Sequence, residues 1–405
     1  MGVSTSTVQN EIPASTRENA THWRTILVIA IVARVCFAFV FFNFTSIPPM
    51  EGRGFENVSI ALSLRAGNGF SSPFYSDSGP TAFMTPIYPS FLAAVMILFG
   101  TGSLAATIIV LVQEIFSLAT VMLAMYTGRT LFGARAANMA GLFCAIAPPM
   151  LSAPLLTWDA CLSAFLMTAV FAAAASMAVT RTRFIPAGAF CALAGLLNPT
   201  LIPALWALCG WAAWKAKKLP WAGILTFFLV FSPWVVRNAL VMHAFIPMRT
   251  NFGYELWQGN HPAATGDFNE SMNPMMNASE RQAFVDQDEL RYFHEKGAFA
   301  RAYITSHFRE FLRLDAKRIW QFWTLSQDGA APSMIPILLL ALVALGLLWG
   351  RRDLVVLFAL PLVLYPMPYY ITHVYARFEW VVEPLILTLA GYSMSRFLEW
   401  LRPEA

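Results

Sequence analysis

Long apolar runs separated by short polar turns make up most of the chain. Ten of these runs are long enough, or nearly so, to cross a membrane as a helix, which takes about 20 residues. They lie at 24–44, 104–127, 134–150, 155–179, 184–197, 199–214, 220–241, 334–350, 353–371 and 380–400. The run at 86–100 is shorter. The pattern predicts an all-α polytopic membrane protein, a helical bundle with about ten spans.

Two polar intervals interrupt this pattern. The first, 45–85, follows the first span and carries glutamates at helical spacing and a loop rich in Pro, Gly and Ser. A loop of this length is usually functional. The second, 242–333, has helical patterning around 279–297 and 300–324, and predicts a small helical lid over the bundle.

Basic residues in the short connections predict the orientation of the chain. Such residues mark the cytoplasmic side at 129–135, 181–183, 215–218, 351–352 and 396–402. Alternation of the spans then requires 86–100 to lie or re-enter at the outer face, with both polar intervals outside and both termini inside. If 86–100 crossed fully, Arg129 and Arg135 would lie outside.

The predicted organisation has four parts. A polar tail at 1–22, expected to be disordered and cytoplasmic, precedes a transmembrane core at 23–241 that includes the outer loop 45–85. An outer loop or lid at 242–333 follows, and transmembrane helices occupy 334–405. No small-residue cleavage site follows a short apolar region, which indicates a retained anchor rather than a signal peptide.

Composition excludes a soluble protein. Of 405 residues, 57% are hydrophobic and 12% are charged, and the mean hydropathy is +0.56, whereas a soluble domain has about 25% charged residues. The formal charge of +4 lies mostly beside the apolar runs, so it bears on topology and predicts no binding of nucleic acid. The chain has no GxxxxGKS/T or GxGxxG motif, and its cysteines and histidines lack metal-ligand spacing.

Four stretches resemble one class of membrane enzymes. They are GFENVSIALSLRAGNGFSSPF with GPTAFMTPIYPSFLAAVMILFG, TWDACLSAFLMTAVFAAA, PWVVRNALVMHAFIPMRTNFGYELWQGNHP and YARFEWVVEPLILTLAGY, in this order over about 30–400. The chain thereby resembles the polyprenyl-phosphate-dependent glycosyltransferases with the GT-C fold, the superfamily of the protein O-mannosyltransferases and the lipid A aminoarabinose transferase. The resemblance implies a sugar carried on a polyprenyl phosphate, transfer to an acceptor hydroxyl outside the cytoplasm, and inversion at the anomeric carbon.

Such a transfer needs a base for the acceptor hydroxyl. In the family the base is an acidic residue of the first outer loop. Its position just after the span matches Glu51, whereas its distance to the helix IALSL matches Glu56. The chain departs here from the commoner Asp-Glu pair of the family. A carboxyl at the membrane boundary gains a raised pKa from partial burial. Asp159, where the family also has an acid, is expected to position the acceptor or to help hold a divalent metal. The helix dipole alone would also favour a carboxylate there.

Three arginines are candidates for binding the lipid phosphate. Arg377 and Arg237 resemble family positions near the outer ends of spans, and Arg53 lies in the first outer loop. His373 and Tyr375 are neighbours of Arg377 and are candidates for the same site. The guanidinium fork donates two parallel hydrogen bonds and keeps its charge when partly buried. An arginine that snorkels to the headgroup level would explain the same positions.

An aromatic and amide-rich motif predicts a pocket for the sugar or the acceptor. Tyr254, Trp257, Asn260 and His261 in GYELWQGNHP follow a span and should lie above the mouth of the bundle. Aromatic faces and amides suit the C–H faces and hydroxyls of a sugar, although Tyr and Trp are also typical of membrane interfaces.

Two charges lie within spans, Arg34 and Glu114. Charges inside a membrane are costly, so the simpler interpretation is a structural pair rather than a groove for the lipid carrier.

Other functions remain open from the sequence. A solute transporter would commonly show an internal repeat of spans, which the chain lacks, and a flippase or a glycan polymerase of the cell envelope is a nearer alternative. The enzyme hypothesis requires no cofactor. Its partners are a polyprenyl-phosphate sugar, a lipid, glycan or protein acceptor, and membrane lipids. The expected location is the bacterial inner membrane, with the site on the periplasmic side; the sugar and the acceptor are not identified.

Overall fold

The structure, a computed structural model, describes residues 20–41, 50, 53–75, 77–176, 184–325 and 333–401. Residues 1–19 of the tail predicted at 1–22, the base candidate Glu51 and the basic residues at 181–183 lie outside the described residues. Within the described part all regular elements are helices, accompanied by two isolated bridges.

The helices up to Met242 form the first part of the bundle. They are α1 (Trp23–Phe41), α2 (Phe55–Arg65), α3 (Ile87–Phe99), α4 (Ser103–Phe132), α5 (Ala134–Ile146), α6 (Pro148–Ser152), α7 (Ala160–Ala175), α8 (Phe184–Leu197), α9 (Leu201–Lys215) and α10 (Trp221–Met242). The second part begins with the predicted lid. Its helices are α11 (Phe252–Gly259), α12 (Ala278–Gln287), α13 (Glu289–Ser306), α14 (Phe308–Thr324), α15 (Ile335–Leu347), α16 (Arg352–Leu364), α17 (Met367–Ile371), α18 (Ala376–Glu379) and α19 (Glu383–Leu401).

Each predicted span contains a helix, and the chain is an integral membrane protein. By length and composition, 4 helical stretches among the described residues can cross a membrane, or up to 5 if α5 and the segment that follows it, bent by 54°, form one span. The other apolar helices are shorter, so the number of ten crossings stays a prediction. α3 has 13 residues, about 20 Å of helix, which is too short to cross upright.

Small residues let the central helices of the bundle approach closely. α5 packs against α1, α4 and α19. A Cβ added at Gly391 on α19 would lie 2.5 Å from the backbone nitrogen of Ala140 on α5. Contacts of this kind bring helix backbones together in membranes, where dispersion replaces the hydrophobic effect as the driving force.

The predicted pair between the first and fourth helices is confirmed. Arg34 Nε lies 3.2 Å from Glu114 Oε2, and the arginine is 4% exposed. Arg34 also donates to Ser117 Oγ at 2.7 Å and to the carbonyl of Ala145 at 3.3 Å. The pair joins α1, α4 and α5 inside the bundle.

The predicted lid packs on the 53–85 segment. Phe284 and Phe293 on the lid share one buried cluster with Ile60, Phe74 and Phe83. The lid thereby brings α11 and the turns around it against α2, and this contact encloses the cavity described next.

Candidate active site

A cavity of about 460 Å³ lies where the turns between the helices meet the lid and the 53–85 segment. Its walls come from stretches that are distant in sequence. They are the start of α2, Phe83 and Met84, the turn before α7, the α8–α9 turn, the residues around α11, Phe268 and Asn273, and the stretch from Tyr365 to Val381. Six of the predicted site residues line it: Glu56, Asp159, Tyr254, His373, Tyr375 and Arg377.

Glu56 is the buried acid of this cavity. It is the second residue of α2 and is 5% exposed. Asn273 Nδ2 donates to its Oε1 at 3.3 Å. Burial raises the pKa of Glu56, while hydrogen bonds from its own backbone and from Asn273, and the charges of Arg377 and Arg249, act in the opposite direction. A raised pKa suits a group that takes a proton near neutral pH.

Asp159 lines the same cavity and lies at the N-terminus of α7. Its carboxylate accepts a hydrogen bond from Ser163 Oγ at 3.2 Å, and it makes no side-chain capping bond to the helix backbone. The turn before it touches the start of α2, because a Cβ at Gly54 would lie 2.8 Å from the carbonyl oxygen of Thr157. Gly54 has φ of 61°, which favours glycine. This contact sets Asp159 beside the first turn of α2.

Arg377 presents its guanidinium to the cavity within an aromatic cage. The group lies 4.1 Å from the ring centroids of Trp158 and Tyr375 and 5.1 Å from that of Phe378. In the described ranges Arg377 forms no ion pair. The rings hold the cation in place at the cavity wall by cation–π attraction.

A second cavity arginine, Arg249, is absent from the sequence-based predictions. It precedes α11, and Nη2 donates to Thr85 Oγ1 at 3.3 Å. Its Nε is buried without a hydrogen-bond partner, and no ion pair of Arg249 occurs in the part of the chain that the structure describes. Two guanidinium groups without ion-pair partners among the described residues therefore line one cavity.

Glu255 on α11 is a second acid that the sequence analysis missed. Asn251 Nδ2 donates to its Oε1 at 2.7 Å, and its side chain is 27% exposed. Burial, and then the charge of Glu56, raise the pKa of Glu255 to about 7, against the opposite effects of Arg249 and Arg377. The charge of Glu56 thus acts on the carboxyl group of Glu255.

His373 is neutral beside this second acid. Its Nδ1 lies 3.5 Å from Glu255 Oε2. Burial lowers the pKa of His373 to about 3, and the charges of Arg377 and Arg318 act in the same direction. The contact is therefore one between an uncharged ring and a carboxyl group, and not an ion pair at neutral pH.

A chain of hydroxyl groups forms another wall of the cavity. Thr200 Oγ1 donates to Asn198 Oδ1 at 2.7 Å and lies 2.9 Å from Tyr369 OH, which is 3.3 Å from Tyr365 OH. Phe378 stacks on Tyr369 with ring centroids 4.2 Å apart. Polar groups between aromatic faces suit a polyol ligand, and the apolar runs containing them gave no sequence signal for it.

The structure does not bring Arg237 and Arg53 into this cavity. Arg237 donates to the carbonyls of Thr81 and Phe70, both at 2.7 Å, and lies over the Trp234 ring at 5.3 Å. Arg53 is half-buried just before α2 and is not part of the cavity wall. Arg237 instead holds the 53–85 segment against α10.

Three members of the predicted sugar pocket also lie off the cavity. Asn260 Nδ2 donates to the carbonyls of Leu256 and Ile371, both at 2.8 Å. Trp257 and His261 contact each other, with ring centroids 5.4 Å apart. Of the motif GYELWQGNHP, only its first tyrosine and the glutamate after it reach the cavity. Asn260 thereby joins the end of α11 to the end of α17.

A buried glutamate fixes the two walls around Glu56. Glu289, 4% exposed, accepts hydrogen bonds from Thr81 Oγ1, from the Ala82 amide at 2.9 Å and from Thr250 Oγ1 at 2.5 Å. Thr250 N in turn donates to the Ala82 carbonyl at 3.1 Å. We call these four residues the Glu289 latch; it connects the 53–85 segment, the residues before α11 and the start of α13.

The described residues contain no cluster of three or more His, Cys, Asp or Glu side chains arranged to hold a metal ion. The divalent metal considered near Asp159 therefore has no ligand set in this part of the chain.

Solved structures share this fold, although no family model and no curated protein matches the sequence. The archaeal oligosaccharyltransferase AglB from Archaeoglobus fulgidus, in complex with an inhibitory peptide and a dolichol-phosphate, has a TM-score of 0.55 and 11% identity over 94% of this chain. The apo form of the Archaeoglobus fulgidus oligosaccharyltransferase has a TM-score of 0.52 and 14% identity over 94% of this chain. This chain spans about half of their length, 51% of each.

A third structure is that of ArnT from Cupriavidus metallidurans bound to undecaprenyl phosphate. The match covers 93% of this chain and 78% of the ArnT chain at 14% identity, and its TM-score of 0.44 is too low to support an argument. The AglB structures confirm the predicted fold: the chain has the all-helical GT-C architecture.

Proposed function

We propose that the protein is a membrane glycosyltransferase that moves a sugar from a polyprenyl-phosphate donor to an acceptor hydroxyl, with inversion at the anomeric carbon. The observation that carries this proposal is the cavity itself, in which the buried Glu56 faces two arginines, Arg377 and Arg249, without ion-pair partners among the described residues. A base and a phosphate site in one cavity are the two elements that such a transfer needs.

In the proposed reaction, Glu56 accepts the proton of the acceptor hydroxyl as its oxygen bonds to the anomeric carbon. The bond from that carbon to the phosphate oxygen breaks at the same time, and its electron pair leaves with the lipid phosphate. Arg377 and Arg249 stabilise the charge that grows on the phosphate, so no acid is needed to protonate the leaving group. Attack from the side opposite the phosphate inverts the anomeric configuration.

The other walls are assigned to binding. Asp159 is placed to orient the acceptor, because it lines the cavity and one of its oxygens is held by Ser163. The rings and hydroxyls of Thr200, Tyr365 and Tyr369 offer apolar faces and hydrogen bonds to a sugar. The dolichol-phosphate named with the AglB structure supports a lipid-phosphate donor for this fold.

We place the site on the outer face of a bacterial inner membrane. The support is the basic residues in the short connections on the other side, such as 129–135 and 215–218. Labelling of a cysteine introduced at position 216 by an impermeant reagent in intact cells would contradict this orientation, and labelling of one introduced at position 270 is expected.

A transfer assay with the purified protein tests the function. Polyprenyl-phosphate sugars labelled in the sugar are supplied one at a time with detergent-extracted membranes as the source of acceptors, and label in lipid, glycan and protein fractions is counted. We expect transfer from at least one donor, lost in Glu56→Gln. A transporter or flippase would move the labelled donor across vesicles without releasing its sugar, and a polymerase would give products of increasing length. Donors that stay intact in every mixture would refute the proposal.

A further inference from the structure

The helix α14 of the lid has a composition that suits neither the hydrocarbon core of a membrane nor water. Six of its 17 residues are charged, which is too many for a membrane span. Four of its large apolar side chains are nevertheless exposed, by 42–56%: Phe308, Leu312, Ile319 and Trp320. A helix that combines charges with exposed bulky apolar groups is typical of the membrane interface, where both find a partner.

The exposed apolar residues of α14 share one side of the helix. At about 3.6 residues per turn, Phe308, Leu312 and Ile319 lie within roughly 40° of one another around the helix axis. Leu314 and Arg318, on a different side, are buried against the protein. α14 is therefore anchored by one side and presents a separate apolar side outwards.

A row of basic residues borders this apolar side. Arg309, Arg313 and Lys317 follow one another at intervals of four residues, and all three are exposed. Within the described residues Arg309 forms no ion pair, and Arg313 pairs with Glu310 at 2.7 Å, an exposed contact of a kind that is weak. Lys317 is held by Asp267 at 3.4 Å, which leaves the two arginines as the stronger candidates for lipid phosphate. Basic residues beside an apolar stripe match the surface of a membrane with anionic lipids.

The end of α14 lies beside the start of a predicted span. The amide of Met334, which directly precedes α15, donates to the carbonyl of Thr324, the last residue of α14, at 3.4 Å. α15 is apolar, and its exposed Leu339 and Leu342 belong to the surface of a predicted span that faces lipid. α14 also packs against α15, α17 and α18, which all lie at the ends of predicted spans. These contacts place α14 beside the lipid-facing surface of the bundle.

The buried side of α14 reaches the wall of the cavity. Arg318 is fully buried and donates to the carbonyl of Tyr370 on α17 at 3.0 Å. Trp323 Nε1 donates to the hydroxyl of the same tyrosine at 2.7 Å. Phe322 stacks on Tyr369 with ring centroids 6.2 Å apart, and Tyr369 belongs to the hydroxyl wall of the cavity. A displacement of α14 would therefore move α17 and this wall.

We propose that α14 docks on the membrane surface beside the bundle and makes the cavity sensitive to anionic phospholipids. Phe308, Leu312 and Ile319 insert among the lipid tails, and Arg309 and Arg313 bind the phosphate groups. The negative surface potential of such lipids attracts each basic residue, and salt screens this attraction. Docked in this way, α14 holds α17 in the position in which Tyr369 completes the cavity. The inference rests on the proposed function only for its effect on sugar transfer.

Hydrogen exchange of the full chain in lipid nanodiscs tests the docking without any turnover. The discs hold one copy of the protein and contain either phosphatidylcholine alone or phosphatidylcholine with phosphatidylglycerol. We expect the peptides covering 308–324 and 365–371 to exchange more slowly in the anionic discs, by about 10-fold or more, because two basic residues gain an anionic surface. A high concentration of sodium chloride should abolish the difference.

A charge variant with a matched control identifies the basic side chains. Arg309→Gln/Arg313→Gln should lose the difference in exchange between the two kinds of disc. Arg291→Gln/Arg301→Gln removes the same charge from exposed positions of α13 and should keep the difference.

A second pair of variants tests the apolar side. Leu312→Gln/Ile319→Gln should make the 308–324 peptide exchange faster in both kinds of disc, because the lipid tails lose their apolar partners. Met276→Gln/Val285→Gln changes two exposed apolar residues of the lid outside α14 and should leave that peptide unchanged.

The results separate this inference from the proposed function. Slower exchange of both peptides in anionic discs, in a protein that transfers no sugar, would support the inference and refute the proposed function. Sugar transfer by a wild-type protein whose 308–324 peptide exchanges equally in both kinds of disc at low salt would refute the inference alone. Protection of this peptide only in discs with two copies of the protein would show that a second copy covers α14, and would also refute it. If both proposals hold, transfer should be faster in anionic discs for the wild type and not for Arg309→Gln/Arg313→Gln.

Discussion

Removing the central side chain of the Glu289 latch should loosen the cavity walls without unfolding the bundle. Glu289→Ala takes away the acceptor for three donors: the hydroxyls of Thr81 and Thr250 and the amide of Ala82. The two hydroxyls can rotate towards other acceptors. The amide of Ala82 is part of the backbone and has no such freedom, so it is the donor that loses its partner.

The expected magnitude follows from that one amide. A buried donor left without a partner costs about 1–3 kcal/mol, and every 1.4 kcal/mol is tenfold in an equilibrium constant. Local opening of the wall should therefore become about 5- to 140-fold more frequent. Glu289→Gln keeps an oxygen that can accept from Ala82, so its effect should be smaller.

Native-state hydrogen exchange followed by mass spectrometry measures this opening. Peptides covering 79–86 and 248–253 should exchange faster in Glu289→Ala, since the amides of Ala82 and Thr250 depend on the latch, while peptides from α4 should be unchanged. Glu310→Ala on α14 is the matched control. Unchanged exchange in both latch peptides, or an equal rise over the whole chain, would refute the assignment of Glu289 to this local role.

Three further predictions concern the reaction and the bundle. Glu56→Gln should lower kcat by about 10²–10⁴-fold with unchanged donor affinity, because it keeps the shape and loses the proton acceptor; near-normal turnover in the transfer assay would move the role of base to another carboxylate. Arg377→Lys and Arg249→Lys should each slow transfer and weaken donor binding, because lysine keeps the charge and loses the fork; a lysine variant with normal kcat and KM would show that its arginine holds no phosphate. Arg34→Leu should lower the midpoint temperature of thermal unfolding in detergent, because it leaves Glu114 buried and unpaired, and the double variant Arg34→Leu/Glu114→Leu should recover most of the lost stability. An Arg34→Leu variant as stable as the wild type would contradict the structural role of the pair.

The helical architecture and six of the residues that line the cavity could be predicted from the sequence. A long apolar run in a membrane protein predicts a helix, and a polar residue at the end of such a run is then expected at the end of that helix. Glu56, Asp159 and Arg377 were found by this reasoning together with the resemblance, and the bundle brings them into one cavity.

Arg249 and Glu255 could not be found in this way. They flank Gly253, whose close contact with α13 decides which side chains of α11 face the cavity, and that contact joins residues far apart in the chain. Contacts between distant parts of the chain also keep Arg237 out of the cavity, because it donates hydrogen bonds to backbone carbonyl oxygens of the 53–85 segment. No local pattern of residues encodes such partners.

The cavity is built from stretches that leave the ribosome at very different times. Among the described helices, Glu56 lies on the second, α2, and Arg377 lies on the last but one, α18. On the proposed function, the nascent protein acquires donor binding late. Chains halted before α18 would carry the proposed base without a complete phosphate site, so an unfinished protein should be unable to sequester the lipid carrier.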